Sequence, residues 1–345
     1  SMFVNLNKSL VIFIVLALFG GLGYSSEVNI YTSRHYDSDA KLYSDFKELT
    51  GIEVNIISAK SSALIERIKS EGKNSPADIF ITVDAGNLWK VQDLGLFTNI
   101  KSKKIDEIVP AKFRGANNEW IALAKRARVV FYNSAKFSSD DLKTLNYEDL
   151  NSPRWKNKIV IRSSNNLYNQ SLVASMIANY GLAYTEKWAK GLVNNFARKP
   201  QGNDRSQIIA VANNEADLAI ANSYYLGLML SGKKGDKQLN AGKKVKILFP
   251  SQNKNGTHVN ISGAGILKTA KNYANAVKFL EFMLTEAAQK HLVENTYEYP
   301  INSKVEPSML IAQFGLDFKE DDVDVSNFGK FNSAALKLMD RVGWQ

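Results

Sequence analysis

A chain of 345 residues that is 45% hydrophobic can bury more core than one ordinary domain needs. It contains no cysteine, which excludes disulfides, thiolate metal sites, iron–sulfur clusters and thiol nucleophiles together, and its three histidines supply imidazole-based zinc or copper chemistry poorly. The net charge of +10 is carried by scattered lysines and by tips such as 233–237 and 242–246 that lack interleaved aromatics, so no nucleic-acid partner is expected.

Ser1 before Met2 reads as an expression remnant. Residues 2–26 read as a signal peptide: Lys8 lies in a short basic region, Leu10–Phe19 is a continuous apolar run, and small residues follow. The run is short for a membrane span. No cysteine follows it to carry a lipid and no twin-arginine pair precedes it, so export by the general secretory route to the periplasm is the expectation.

From Glu27 a β-α rhythm begins. EVNIYTS (27–33) reads as a strand. Asp37 to Leu49 reads as a helix with Leu42, Phe46 and Leu49 on one face and Gly51 past its end. IEVNIIS (52–58) alternates as a strand; Ser61 or Ser62 opens a helix with Leu64, Ile65 and Ile68 inward. ADIFITVDAG (77–86) is a buried strand whose Asp84 caps the next helix, closed by Gly95. WIALAKRARVVFYN (120–133) differs, because two extended apolar stretches meet with no helix between them, as in a strand that crosses between lobes. Arg126 and Arg128 alternate with apolar residues there, so one of them is expected to face solvent.

A second rhythm follows: a strand at 158–164, helices at 167–180 and 184–195, and a Gly-Asn-Asp cap at 202–204 before SQIIAVANN. VKILFPSQ (245–252) and THVNISGAGIL (257–267) form a second crossing. The next helix shows Ala274, Val277, Leu280, Met283 and Leu284 at helical spacing, and a last helix at 332–342 docks on the second lobe. The fold class is therefore α/β, with two lobes and a ligand cleft between them. The expected division is 27–124 plus 257–302 for the N-lobe and 125–256 plus 303–345 for the C-lobe.

The stretch ADLAIANSYYLGLM (216–229) stands out. Its first half reads as a buried strand, and Asn222 or Ser223 can cap the helix after it. Tyr224 and Tyr225 then sit at a strand's carboxyl end, where open α/β sheets bind ligands. Adjacent tyrosines taken blind usually serve packing; at this position they read as oxygen donors to a hard metal ion.

SPADIFITVD, RARVVFYN, SPRWKNKI (152–159), GNDRSQI (202–208), ANSYYLG and EYPIN (298–302) together resemble the ferric-iron-binding periplasmic proteins of ABC importers, over essentially the whole chain from residue 27. The resemblance implies the type II periplasmic binding protein fold, Fe(III) as the transported ligand, an inner-membrane ABC permease as partner, and a monomer. It places the paired tyrosine ligands on Tyr224 and Tyr225 and a histidine ligand on His35. Where some members carry a liganding carboxylate this chain has Val83, so the likeness is to the tyrosine-rich, FutA-type subset, in which Tyr36 and Tyr168 are ligands as well.

Phenolate suits this small, hard ion, as it does the iron of catalase. Four phenolates against a charge of +3 leave one negative charge, and Arg128 and Arg205 are the expected counter-cations. Tyr31, Tyr132 and Tyr273 are assigned to structure, and His258 and His291 to ordinary polar roles. No GxSxG, HExxH or carboxylate dyad is present, so no enzyme is expected. An importer's binding protein for an oxyanion or a small organic ligand is the alternative.

Overall fold

The computed structural model describes residues 26–345. The expected leader, but for Ser26, lies outside the described residues.

The first lobe is built on β1 (Glu27–Thr32), α1 (Asp39–Thr50), β2 (Glu53–Ser58), α2 (Ser61–Glu71), β3 (Ile79–Val83), α3 (Ala85–Asp93) and β4 (Phe97–Thr98). β1 runs parallel to both β2 and β3. Such strands are covered on both faces, which is why IFITV in β3 is apolar at almost every position. Helix boundaries follow local chemistry. Gly51 ends α1 in the left-handed conformation with φ 72°, its N–H returning to Lys47. The Asp84 side chain caps α3 by accepting from Gly86 N.

β5 (Trp120–Asn133) connects the lobes. Residues 120–127 pair antiparallel with β9 (Val259–Leu267), which lies beside β3 in the first sheet. From Arg128 onward β5 instead pairs with β7 (Leu218–Asn222) and, from Val130, with β8 (Val245–Leu248). β6 (Ile159–Val160) completes the second sheet beside β7. The second crossing is made in two pieces, in line with the two segments expected. β8 ends in the second sheet, a turn through Ser251 (φ 62°) and Gly256 (φ 96°) intervenes, and β9 starts in the first.

Around the second sheet lie α4 (Leu167–Tyr180), α5 (Leu182–Asn194), α6 (Asp204–Ala212) and α7 (Tyr224–Leu230). After β9 come α8 (Tyr273–Met283), α9 (Glu286–Thr296), β10 (Tyr299–Pro300, paired with β5) and α10 (Asn332–Arg341). As expected, α10 docks on the second lobe: Leu338, Met339 and Trp344 pack with Val130, Leu172, Trp188 and Leu218.

Two expected faces hold except at one residue each: Leu280, Met283 and Leu284 are buried in or just past α8 and Leu42 and Phe46 in α1, as expected. α8 buries Ala276, Phe279, Leu280 and Met283, whereas Ala274 is exposed. The Phe279 ring meets Phe46 edge-on at 5.2 Å, and burying that large ring outweighs burying a methyl group. Leu49, expected on the inner face of α1, is 73% exposed. Among the described residues no helix is long and apolar enough to cross a membrane.

The register of α8 is testable by denaturant unfolding. Phe279→Ala should cost about 3–5 kcal/mol, whereas Ala274→Ser should stay within about 0.5 kcal/mol of wild type. Equal effects would place the buried face elsewhere.

Candidate metal site

Three ends of secondary structure deliver the tyrosines. Tyr36 lies in the short loop between β1 and α1. Tyr168 is the second residue of α4, whose start is fixed by Asn166 accepting from Asn169 N. Tyr224 and Tyr225 open α7 directly behind β7. The residue before them, Ser223, already has helical φ and ψ and makes no capping bond, contrary to expectation. The turn is held instead from Asn222, whose N–H donates to the buried Asp204 carboxylate at 3.0 Å.

All four tyrosines, together with His35, Val83 and Arg126, line one cavity of about 510 Å³ between the lobes. Tyr224 Oη donates to Tyr168 Oη at 3.4 Å, and the Tyr224 and Tyr225 rings lie 4.4 Å apart. Burial raises all four phenol pKa values above the usual tyrosine range, with nearby Arg126 working in the opposite direction for Tyr36, Tyr168 and Tyr224. Among the described residues no cluster of histidine and carboxylate groups suits a metal ion. The phenols are the convergent donors.

The guanidinium among them is Arg126. Its Nη1 donates to Tyr168 Oη at 3.0 Å, its Nη2 donates to Tyr36 Oη at 3.2 Å, and its Cζ stands 4.7 Å from the Tyr224 ring centroid. Behind it, Glu298 is fully buried and accepts from Arg126, Arg34 and Ser262, the Arg34 bond being 2.6 Å. Burial alone would raise the Glu298 pKa, but Arg34 and Arg126 hold it at about 2. Arg34 also pairs with Asp39 at 2.7 Å and lies over the Tyr36 ring at 4.2 Å. Two cations and two carboxylates thus neutralise one another beside four neutral phenols.

The expected counter-cations are elsewhere. Arg128 is buried against Asp204, Asn222 and Asn169, and Arg205 donates to Gln238; neither lines the cavity. Nor does either arginine of the crossing strand face solvent, since Arg126 and Arg128 are each 1% exposed. β5 changes partners between residues 127 and 128, which sends the two guanidinia into separate acidic pockets.

His35 is exposed on the cavity rim, with Nδ1 2.9 Å from Ser58 Oγ. Tyr31 bonds Glu71, Tyr132 is packed in the second core, and Tyr273 ties Asn99 to Lys101, all structural roles. His258 is buried against Phe328, and His291 bonds Ser38 O. Asp84 does more than cap a helix: it also accepts from Ser171 and Asn260, and burial raises its pKa to about 6.

Sequence reasoning missed Arg126 in this role, and Arg34 and Glu298 altogether. The available signal was a pair of arginines inside an apolar strand, which demands buried carboxylates somewhere in the chain.

The profile of the bacterial extracellular solute-binding protein family matches residues 41–315. The chain is 46% identical to Iron uptake protein A1 of Synechocystis over 323 residues, covering 94% of this chain and 89% of that one. It is 31% identical to the major ferric iron-binding protein of Neisseria meningitidis over 286 residues, 81% and 82% of the two chains. Among solved structures it superposes on the Trichodesmium FutA (IdiA) protein in complex with iron and citrate, with a TM-score of 0.89 and 48% identity, over 93% of this chain and all of that one. The chain belongs to the bacterial extracellular solute-binding proteins.

Proposed function

We propose that this chain captures Fe(III) in the periplasm through Tyr36, Tyr168, Tyr224 and Tyr225 and delivers it to an inner-membrane ABC permease. The observation that carries the reading is the convergence of four phenols and one paired guanidinium on a single interlobe cavity. The names of the relatives above support it. A ferric ion prefers anionic oxygen, and its charge drives the phenols to ionise despite their raised pKa values. Four phenolates exceed the ion's charge by one, and Arg126, although Glu298 balances its own charge, stabilises that excess by donating hydrogen bonds to two of their oxygens. His35, on the rim, is the one imidazole placed to add to the shell. The proposed lobes are 27–124 with 257–302 and 125–256 with 303–345, and export through residues 2–26 fits the family's extracellular setting.

Titrating the iron-free protein with chelated Fe(III) should develop a broad visible tyrosinate-to-iron band that saturates near one ion per chain. The band should vanish in Tyr224→Phe/Tyr225→Phe. A colourless wild type would sink the ferric reading and leave an anionic or organic ligand.

Binding should also release protons. The phenol pKa values lie above 10, so each ligand enters protonated at neutral pH, and apparent affinity falls as pH falls. Its logarithm should drop by up to about four per pH unit, one for each phenolate formed. Glu298, at about 2, stays ionised above pH 4 and contributes nothing to that slope. Proton release in weakly buffered solution, corrected for the chelator, measures the number directly; no release would exclude phenolate ligands.

In cells that lack this chain, ferric-iron uptake should slow, and the Tyr224→Phe/Tyr225→Phe protein should fail to restore it. Full restoration by that variant would rule out the proposed site.

A further inference from the structure

The two lobes touch at a point beside the cavity that no ligand role explains. Gly227 lies inside α7, a position where glycine is a liability relative to alanine and so usually answers a packing need. A Cβ placed there would stand 2.5 Å from both Cβ and Cγ of Tyr297. The helix backbone that carries Tyr224 and Tyr225 is therefore seated directly on an aromatic ring of the opposite lobe.

Tyr297 is itself held under constraint. It closes α9 with φ 63° and ψ 17°, a left-handed conformation uncommon for a tyrosine, and its N–H donates to Val293 O at 3.0 Å. Its ring is 4% exposed, and Lys233 Nζ of the second lobe stands 5.4 Å from the ring centroid. The next residue is Glu298, whose carboxylate holds Arg126 and through it the hydroxyls of Tyr36 and Tyr168. β10 then ties the segment to β5 at Lys125 and Ala124. One dipeptide therefore meets the paired-tyrosine helix with its first side chain and the site's guanidinium with its second.

We propose that Tyr297 is the closure contact of the site: its ring, seated on Gly227, fixes the spacing between α7 and the Glu298–Arg126 pair and so sets how long a captured ion is retained. This rests on the ferric reading of the cavity. An ion held between lobes escapes through the open form, so its release rate scales with that form's population. Overpacking the contact destabilises the closed form without touching a ligand.

The test uses the full chain loaded with Fe(III) and challenged with excess ethylenediaminetetraacetate, following decay of the visible band. Gly227→Leu keeps a strong helix former in α7 yet cannot seat the ring. It should lose iron faster than wild type by about tenfold or more, with the saturated band unmoved. Tyr297→Gly, which accepts the left-handed backbone and removes the ring, should also release faster. In the double variant the leucine fills the vacated space, and the rate should return toward wild type, a rescue that mere structural damage would not produce. Wild-type release rates in both single variants would overturn the proposal, as would a double variant faster than either. Should Gly227→Leu not fold, Tyr297→Gly decides alone. A wild type that never loads iron refutes the ferric reading and this proposal together; normal loading beside unchanged release refutes the proposal only.

Discussion

The site depends on a charge that cannot be buried alone. Arg126 is 1% exposed and lies on the strand that passes between the lobes. An unpaired guanidinium there would carry a desolvation cost of several kcal/mol. Glu298 removes it, and Arg34 and Ser262 satisfy the remaining capacity of that carboxylate. With part of the guanidinium pinned in this way, its free N–H edge points at the hydroxyls of Tyr36 and Tyr168. The phenols are thus positioned by a constraint that exists before any ion arrives. Removing one member of such a pair costs about 3–5 kcal/mol, because its partner is left buried and uncompensated.

The topology explains why this constraint sits where it does. β5 is the longest strand, and it trades β9 for β7 between residues 127 and 128. Arg126 is the penultimate residue of the first arrangement and Arg128 the first of the second. Each meets its own acid: Glu298 in one case, Asp204 in the other. Asp204 also holds the Asn222 N–H, so the second ion pair braces the turn that launches Tyr224 and Tyr225. Two buried ion pairs, whose arginines are separated by a single residue along a strand, support the two sides of the same cavity.

This arrangement marks the limit of what the residues disclose in order. Helix ends were legible, because glycine at 51 and 95 and side-chain caps at Asp84 and Asn203 act within a few residues. The crossing strand and the tyrosine pair were legible for a similar reason: an apolar run with no helix inside it, and two phenols at a strand's end. The charge pairing was not. Glu298 is 172 residues from Arg126 and 264 from Arg34, and local pattern carries no information across such separations. The choice between Arg126 and Arg128 fails on the same ground, since both alternate with apolar neighbours and only the change of partner strand separates them. The face of α8 was legible at Leu280, Met283 and Leu284 and failed at Ala274, whose place in the core goes to Phe279, a ring that buries far more area.

The distribution of groups between the lobes has its own consequence. Tyr168, Tyr224 and Tyr225 all belong to elements packed on the second sheet, while Tyr36, Arg34 and Glu298 belong to the first. Arg126 lies on the strand common to both sheets, and its guanidinium joins the ion network of Arg34, Asp39 and Glu298. That network of two cations and two carboxylates is balanced while the phenols keep their protons. An ion landing on the three-phenol side would make that side anionic as protons leave. The fourth phenol, Tyr36, and the guanidinium of Arg126 lie on the facing side of the cavity to meet that developing charge. Negative charge that develops on capture would thus strengthen hydrogen bonds that already span the cavity from Arg126 to Tyr36 and Tyr168.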